Sequence, residues 1–185
     1  MEKKKVIYVS HCILNTATKV RKDAPVEEKP EERLRKKFLT QAIQNNIHIV
    51  QLPCPEHKLY GTERWGHTKE QFDHPHFRKQ CREMLNPFMD DLKVYLQNTD
   101  EYEVLGILGI DGSPSCGVNF TCSGAWGGEL MSNTRLSETL ETICRVPERG
   151  VMIEVLKDML QESNITIDFY GLDAMHPEVL NHLLE

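Results

Sequence analysis

No stretch of this 185-residue chain approaches the roughly 18 consecutive apolar residues that a membrane-spanning helix needs. The basic start, Met1-Glu2-Lys3-Lys4-Lys5, is followed only by the short apolar run Val6 to Val9, too brief for an export signal. A cytoplasmic protein with no membrane partner is the expectation. Basic residues are in deficit: 22 Lys and Arg against 28 Asp and Glu give a formal net charge of -6, the wrong sign for a main partner made of phosphate backbone. No nucleic acid is therefore expected as a partner. Internal repeats, heptad runs and linkers are absent, and the length fits one domain, residues 1–185. Among the six cysteines there is no C-x-x-C, which excludes thioredoxin-like redox chemistry, zinc ribbons and ferredoxin-type cluster binding. Hydrophobic residues at 39% still suffice for a buried core.

What is present alternates between strand and helix. Lys4 to Ser10 reads as a buried strand, β-branched and aromatic, ending at His11. Residues 15–29 read as a loop. Pro30 opens a helix carried by Leu34, Phe38, Leu39, Ala42 and Ile43 to Asn45-Asn46. Ile47 to Leu52 is a second strand, cut by Pro53 and Pro55, and residues 57–74 read as a long irregular loop. Phe77 to Leu96 repeats apolar residues at three and four, a helix interrupted or bent at Pro87. Tyr102 to Ile110 is nearly continuously apolar, as a strand covered on both faces should be. A small hairpin is expected within 118–135, a helix over Val151 to Leu160, a fourth strand over Ile165 to Tyr170 and a last helix from His176-Pro177 to Leu184. This order predicts an α/β fold: a three-layer sandwich of the Rossmann-like or flavodoxin-like kind, its sheet mostly parallel with helices on both faces.

In such sheets ligands bind outside the carboxyl ends of the strands. Cys12, Cys54 and Cys116 each stand just beyond a predicted strand, so they should converge. Cys81 and Cys144 fall on helical patterns and Cys122 in a Gly-rich segment, where a thiol is an ordinary small hydrophobe. Three converging thiolates form a soft set suited to an iron–sulfur cluster or zinc, with one metal position left to a substrate. Glu56 follows Cys54 by two residues, placing a carboxylate beside the possible metal.

Val9-Ser10-His11-Cys12-Ile13-Leu14-Asn15, Cys54-Pro55-Glu56 and Ser113-Pro114-Ser115-Cys116-Gly117 together resemble the thiouracil desulfidase (TudS-like) family along most of the chain. The resemblance implies a [4Fe-4S] cluster on Cys12, Cys54 and Cys116 whose remaining iron binds the sulfur of a thiocarbonyl substrate, such as a small thiolated heterocycle. This chain has Val20-Arg21-Lys22-Asp23 and His57 to Gly66 where the family has other loop sequences, so a related thiolated compound is the expected substrate. The expected reaction is hydrolytic: water attacks the carbon, the sulfur leaves as hydrosulfide, and no external electrons are needed. Glu56 is the candidate general base, with Asp111 as alternate, and Ser113 is a catalytic candidate that orients the substrate or relays a proton. Ser115, Arg21 and Arg64 are candidate substrate contacts, although Ser115 would equally serve to close its turn. Tyr60 and Trp65 are candidates to stack on a planar ring. His67, Asp73, His74 and His76 read as a cap and turn before a helix rather than a second metal site. The alternatives from other classes are a cysteine-nucleophile enzyme with His11 as base and a noncatalytic zinc or iron–sulfur binding module.

Overall fold

The computed structural model describes residues 2–21 and 29–184. In chain order the elements are β1 (Lys4–Val9), α1 (His11–Leu14), a 3-10 turn (Thr16–Thr18), α2 (Pro30–Gln44), β2 (His48–Gln51), α3 (Pro55–Tyr60), α4 (Lys69–Phe72) and α5 (Pro75–Gln97). They continue with β3 (Tyr102–Ile110), β4 (Thr121–Ser123), α6 (Leu136–Glu141), β5 (Cys144–Val146), α7 (Val151–Glu162), β6 (Phe169–Leu172) and α8 (Val179–Leu184).

The main sheet has the order β2-β1-β3-β6 and every pairing in it is parallel. Alternation along the strands feeds two cores. Val6, Tyr8 and Ile107 face α5 and α7, which contribute Phe77, Cys81, Leu85, Val151, Val155 and Leu156. Ile7, Val9, Leu108 and Ile110 face α2 and α8, which contribute Leu34, Phe38, Ala42, Leu180 and Leu183. The result is the three-layer sandwich expected from the sequence. Strand order reverses between β1 and β3, because the chain leaves β1 for β2 on one side and β3 for β6 on the other. Loops leaving those two neighbours diverge and open a crevice at their carboxyl ends.

Several elements differ from the sequence reading, each for a local reason. Residues 57–74 hold two short helices rather than irregular chain. Cys54 caps α3 with Pro55 at its first position, and Thr68 and Gln71 close a capping box at the start of α4. His11 begins a helix instead of a loop. Of the loop expected over 15–29, the part at 22–28 lies outside the described residues. Helix α5 runs through Pro87 without a break, and Pro87 is exposed, so water can satisfy the carbonyl of Glu83 that loses its amide donor. Strand β4 pairs with β5, twenty residues on, rather than forming a hairpin within 118–135, and Cys144 therefore lies on a strand, not a helix. The fourth strand of the main sheet lies at Phe169–Leu172, later than expected, because Ile165 and Ile167 pack on the α5/α7 core while leading into it. No helix among the described residues is long and apolar enough to cross a membrane.

Candidate functional site

Each of the three strand-end cysteines is held by an extension of the sheet. Beyond β1, the Ser10 amide still donates to Leu108 O, and the chain then turns into α1, whose second residue is Cys12. Beyond β2, Leu52 donates to Val9 O before Cys54 becomes the cap of α3, its Sγ accepting from the His57 amide at 3.4 Å. Beyond β3, residues 111–119 form a tightly bonded loop. Asp111 Oδ1 accepts from the amides of Val118 (2.8 Å) and Asn119 (2.9 Å), and Oδ2 from the Asn119 side chain (3.0 Å). Ser113 Oγ accepts from the amides of Cys116 (3.1 Å) and Ser115 (3.4 Å).

The far side of this loop is seated on the start of α7. The amides of Val151 and Met152 donate to Pro114 O and Ser115 O at 3.0 Å, and that of Ile153 to Ser115 O at 3.2 Å. Gly150 makes the approach possible: a Cβ there would lie 2.5 Å from the Ser115 carbonyl carbon and 2.8 Å from the Cys116 nitrogen. Loop carbonyls thus point into the helix end, satisfying its first amides, while Ser115 Oγ and Cys116 Sγ stand together on another side, 3.4 Å apart.

Cys12, Cys54 and Cys116 line one cavity of about 270 Å³, together with His11, Thr18, Lys19, Glu31, Glu56, Arg64, Asp111, Ser113 and Ser115. The convergence expected from strand ends is therefore present. All six cysteines are free of disulfides. Burial pushes the Cys12 thiol up to about 12, raises Cys54, and raises Cys116 well above its ordinary value. The Glu56 carboxylate adds to the rise at Cys116, as do Cys12 and Cys54 at alkaline pH where they ionise. Without a bound cation, these sulfurs are neutral thiols near pH 7. Among the described residues, no group of three or more His, Cys, Asp or Glu side chains is arranged around the position of one metal ion.

Glu56 is only 8% exposed, and its two oxygens have different partners. Oε1 accepts from Ser115 Oγ at 2.5 Å, and Oε2 faces Arg64 Nε at 3.4 Å. The two serines therefore have distinct tasks. Ser113 closes the turn, the role anticipated for Ser115, whereas the fully buried Ser115 joins the carboxylate to Cys116. Asp111 lines the cavity with both oxygens occupied by its own loop.

Arg21 lies elsewhere: it is exposed, 3.6 Å from Glu63, and lines a separate pocket with Trp65, Thr62 and Gly66. Trp65 is 68% exposed there, and Tyr60 stacks on Phe72 and Phe77 against the core instead of facing the cavity. The His67–His76 segment behaves as a cap and turn. His74 Nδ1 accepts from the Phe77 amide at the start of α5, and Asp73 pairs with Arg78 at 2.6 Å. Lys19, ion-paired with Glu31 at the cavity wall, and Gly150 were not singled out by the sequence. Their contacts are long-range and leave no local pattern. His11, whose pKa burial lowers, also lines the cavity.

Residues 4–129 match the family described as "Putative 2-thiouracil desulfurase". That segment contains all three cavity cysteines, Glu56, Arg64 and Ser115, while α7 and Gly150 lie beyond it. An uncharacterized protein of Methanocaldococcus jannaschii is 34% identical over 122 residues, 64% of this chain and 70% of that protein. No solved structure matches. With the family match spanning more than half of its length and the whole cysteine-lined cavity, the chain belongs to the 2-thiouracil desulfurase family.

Proposed function

We propose that this protein is a cytoplasmic desulfurase that removes sulfur hydrolytically from a small thiolated heterocycle, using a [4Fe-4S] cluster on Cys12, Cys54 and Cys116. The observation that carries the reading is the gathering of three disulfide-free thiols, a buried carboxylate and a buried hydroxyl around one small cavity. The donor set fits a cluster. Its ligands are soft and come from three separate strand ends, and Cys54 Sγ accepts from the His57 amide at 3.4 Å, a contact that steadies a thiolate. Held by Cys12, Cys54 and Cys116, such a cluster would supply Lewis acidity toward a soft thiocarbonyl sulfur at an iron not claimed by protein.

The chain's own residues supply the proton handling. Glu56 accepts the proton of the attacking water while Ser115 Oγ, donating to Oε1, fixes the carboxylate's orientation. The water oxygen bonds to the thiocarbonyl carbon as its first proton passes to Glu56; the carbon–oxygen double bond then forms as the carbon–sulfur bond breaks, and the remaining hydroxyl proton leaves with the sulfur as hydrosulfide. The cavity of about 270 Å³ would have to hold both the cluster and the substrate, which favours a small substrate. Three thiols sharing one cavity favour a common cluster over the cysteine-nucleophile alternative, which needs only one of them.

The test is turnover of 2-thiouracil by anaerobically purified protein in water enriched in oxygen-18. The expected result is hydrosulfide release with one labelled oxygen in the product. Sulfur release without label, or label without sulfur release, would overturn the hydrolytic reading.

A further inference from the structure

Arg64 lines the cavity, yet its side chain is only 3% exposed. Its guanidinium is spent on the protein. Nη2 donates to Thr18 O at 2.7 Å, Nη1 donates to Gly61 O at 2.8 Å, and Nε faces Glu56 Oε2 at 3.4 Å. These partners belong to two separate pieces of the site. Thr18 ends the 3-10 turn that follows Cys12, and Gly61 ends the helix that Cys54 begins. Glu56 stands in the first turn of that same helix. A planar fork with rigidly spaced donors, anchored on two carbonyls, leaves its third edge no freedom. That edge meets Oε2, and Ser115 meets Oε1, so the plane of the carboxylate is set from both sides. The contact with Thr18 also sets where the next residue, Lys19, joins the cavity wall. Arg64 also lines the pocket of Arg21 and Trp65, so the two spaces share it in their walls.

We infer that Arg64 is a positioning residue that acts through Glu56 and the Thr18 loop, and that the substrate is held by other groups of the cavity. This assignment rests on the proposed desulfurase activity for its kinetic consequence, but its geometric half stands apart from it. A substrate ligand contributes binding, so its loss raises KM. A strut that orients the base contributes only once the water begins to react, so its loss lowers kcat. A carboxylate misplaced by about 1 Å loses on the order of 10²-fold in rate.

The experiment compares the full-length protein with Arg64→Gln and Arg64→Lys in two measurements. In the kinetic arm, 2-thiouracil is the probe. Arg64→Gln should lower kcat by about 10²-fold with KM changed less than about threefold, and Arg64→Lys, which keeps a donor for one carbonyl, should recover part of the loss. In the second arm, hydrogen exchange of the metal-free proteins is followed peptide by peptide. Segments 15–21 and 54–61 should exchange faster in Arg64→Gln and at an intermediate rate in Arg64→Lys, with α5 and α7 unchanged. A raised KM with preserved kcat, or wild-type exchange in both segments, overturns the assignment. Should the wild-type protein fail to turn over any thiocarbonyl, the desulfurase reading fails, and the exchange arm still decides whether Arg64 ties the two segments. If Arg64→Gln does not fold, Arg64→Lys carries both arms.

Discussion

Gly150→Ala probes the site from behind, outside the segment that matches the family. The glycine has φ -71° and ψ 153°, values open to any residue, so the substitution introduces no backbone strain. Its whole effect comes from the new methyl group. That methyl would sit 2.5 Å from the Ser115 carbonyl carbon, and restoring an ordinary 3.4 Å contact requires a movement of about 0.9 Å. The atoms in the way are backbone, and they are pinned on their other side by Ser113 Oγ and by Ile110, whose amide donates to Cys116 O at 3.1 Å. Overpacking destabilises by about 1–3 kcal/mol, against a gain of about 0.4–1 kcal/mol from a stiffer unfolded chain, so a net loss of about 1–2 kcal/mol is expected. Catalysis should suffer more than stability. A shift near 1 Å at Ser115 separates it from Glu56 and should lower kcat by about 10²-fold. The assay is turnover of 2-thiouracil well below the melting temperature, with Gly66→Ala as the control, since a Cβ at Gly66 meets nothing within 4 Å. Wild-type kcat in a folded Gly150→Ala protein would refute the claim that α7 positions the loop.

Three further outcomes follow from the same geometry. Ser115→Ala removes the donor to Glu56 Oε1, and a fall in kcat of about 10–10²-fold with iron content unchanged is expected by kinetics and metal analysis. Asp111→Ala frees the two amides and the side-chain amide that its carboxylate accepts from, so chemical denaturation should show a loss of about 1.5–3 kcal/mol, and kcat should fall because the same loop carries Ser115. Metal-free protein should lose stability in alkali. A thiol whose pKa folding raises contributes stability below its unfolded pKa of about 8.5 and loses it as pH climbs toward the folded value. For Cys12 that window ends at about 12, and Cys54 and Cys116 shift the same way. Denaturation midpoints measured from pH 7 to pH 10 should therefore fall in the wild type and fall less when Cys116 is replaced by alanine.

The sheet was legible because its strands announce themselves. Tyr102–Ile110 is so continuously apolar that both ends could be read, and the strand-end rule brought Cys12, Cys54 and Cys116 to one rim without any local motif. Short elements were harder. Leu136, Leu140 and Ile143 carry helical spacing up to Cys144, but α6 stops at Glu141 and the chain enters β5, whose partner β4 is a tertiary choice. The Thr68–Gln71 capping box was a readable signal for α4, hidden inside a stretch rich in polar residues. Side-chain roles were legible only in part. The sequence identifies Glu56 as a carboxylate beside a cysteine, but cannot say that Ser115, rather than Ser113, reaches it across 59 positions. The sequence offers Arg64 as a candidate substrate contact in the loop after Cys54, but not its bond to Thr18, which lies 46 positions away. Gly150 left no trace at all, since its importance is the absence of an atom facing a distant backbone.

The joint use of Cys12, Cys54 and Cys116 is tested most directly by iron and acid-labile sulfide per chain, measured in anaerobically purified wild type and in each single Cys→Ser protein. A shared cluster predicts about four irons and four sulfides per wild-type chain and a marked loss in all three variants. Full iron retained in any one of them, or a wild type that binds none after reconstitution with iron and sulfide, would contradict the account.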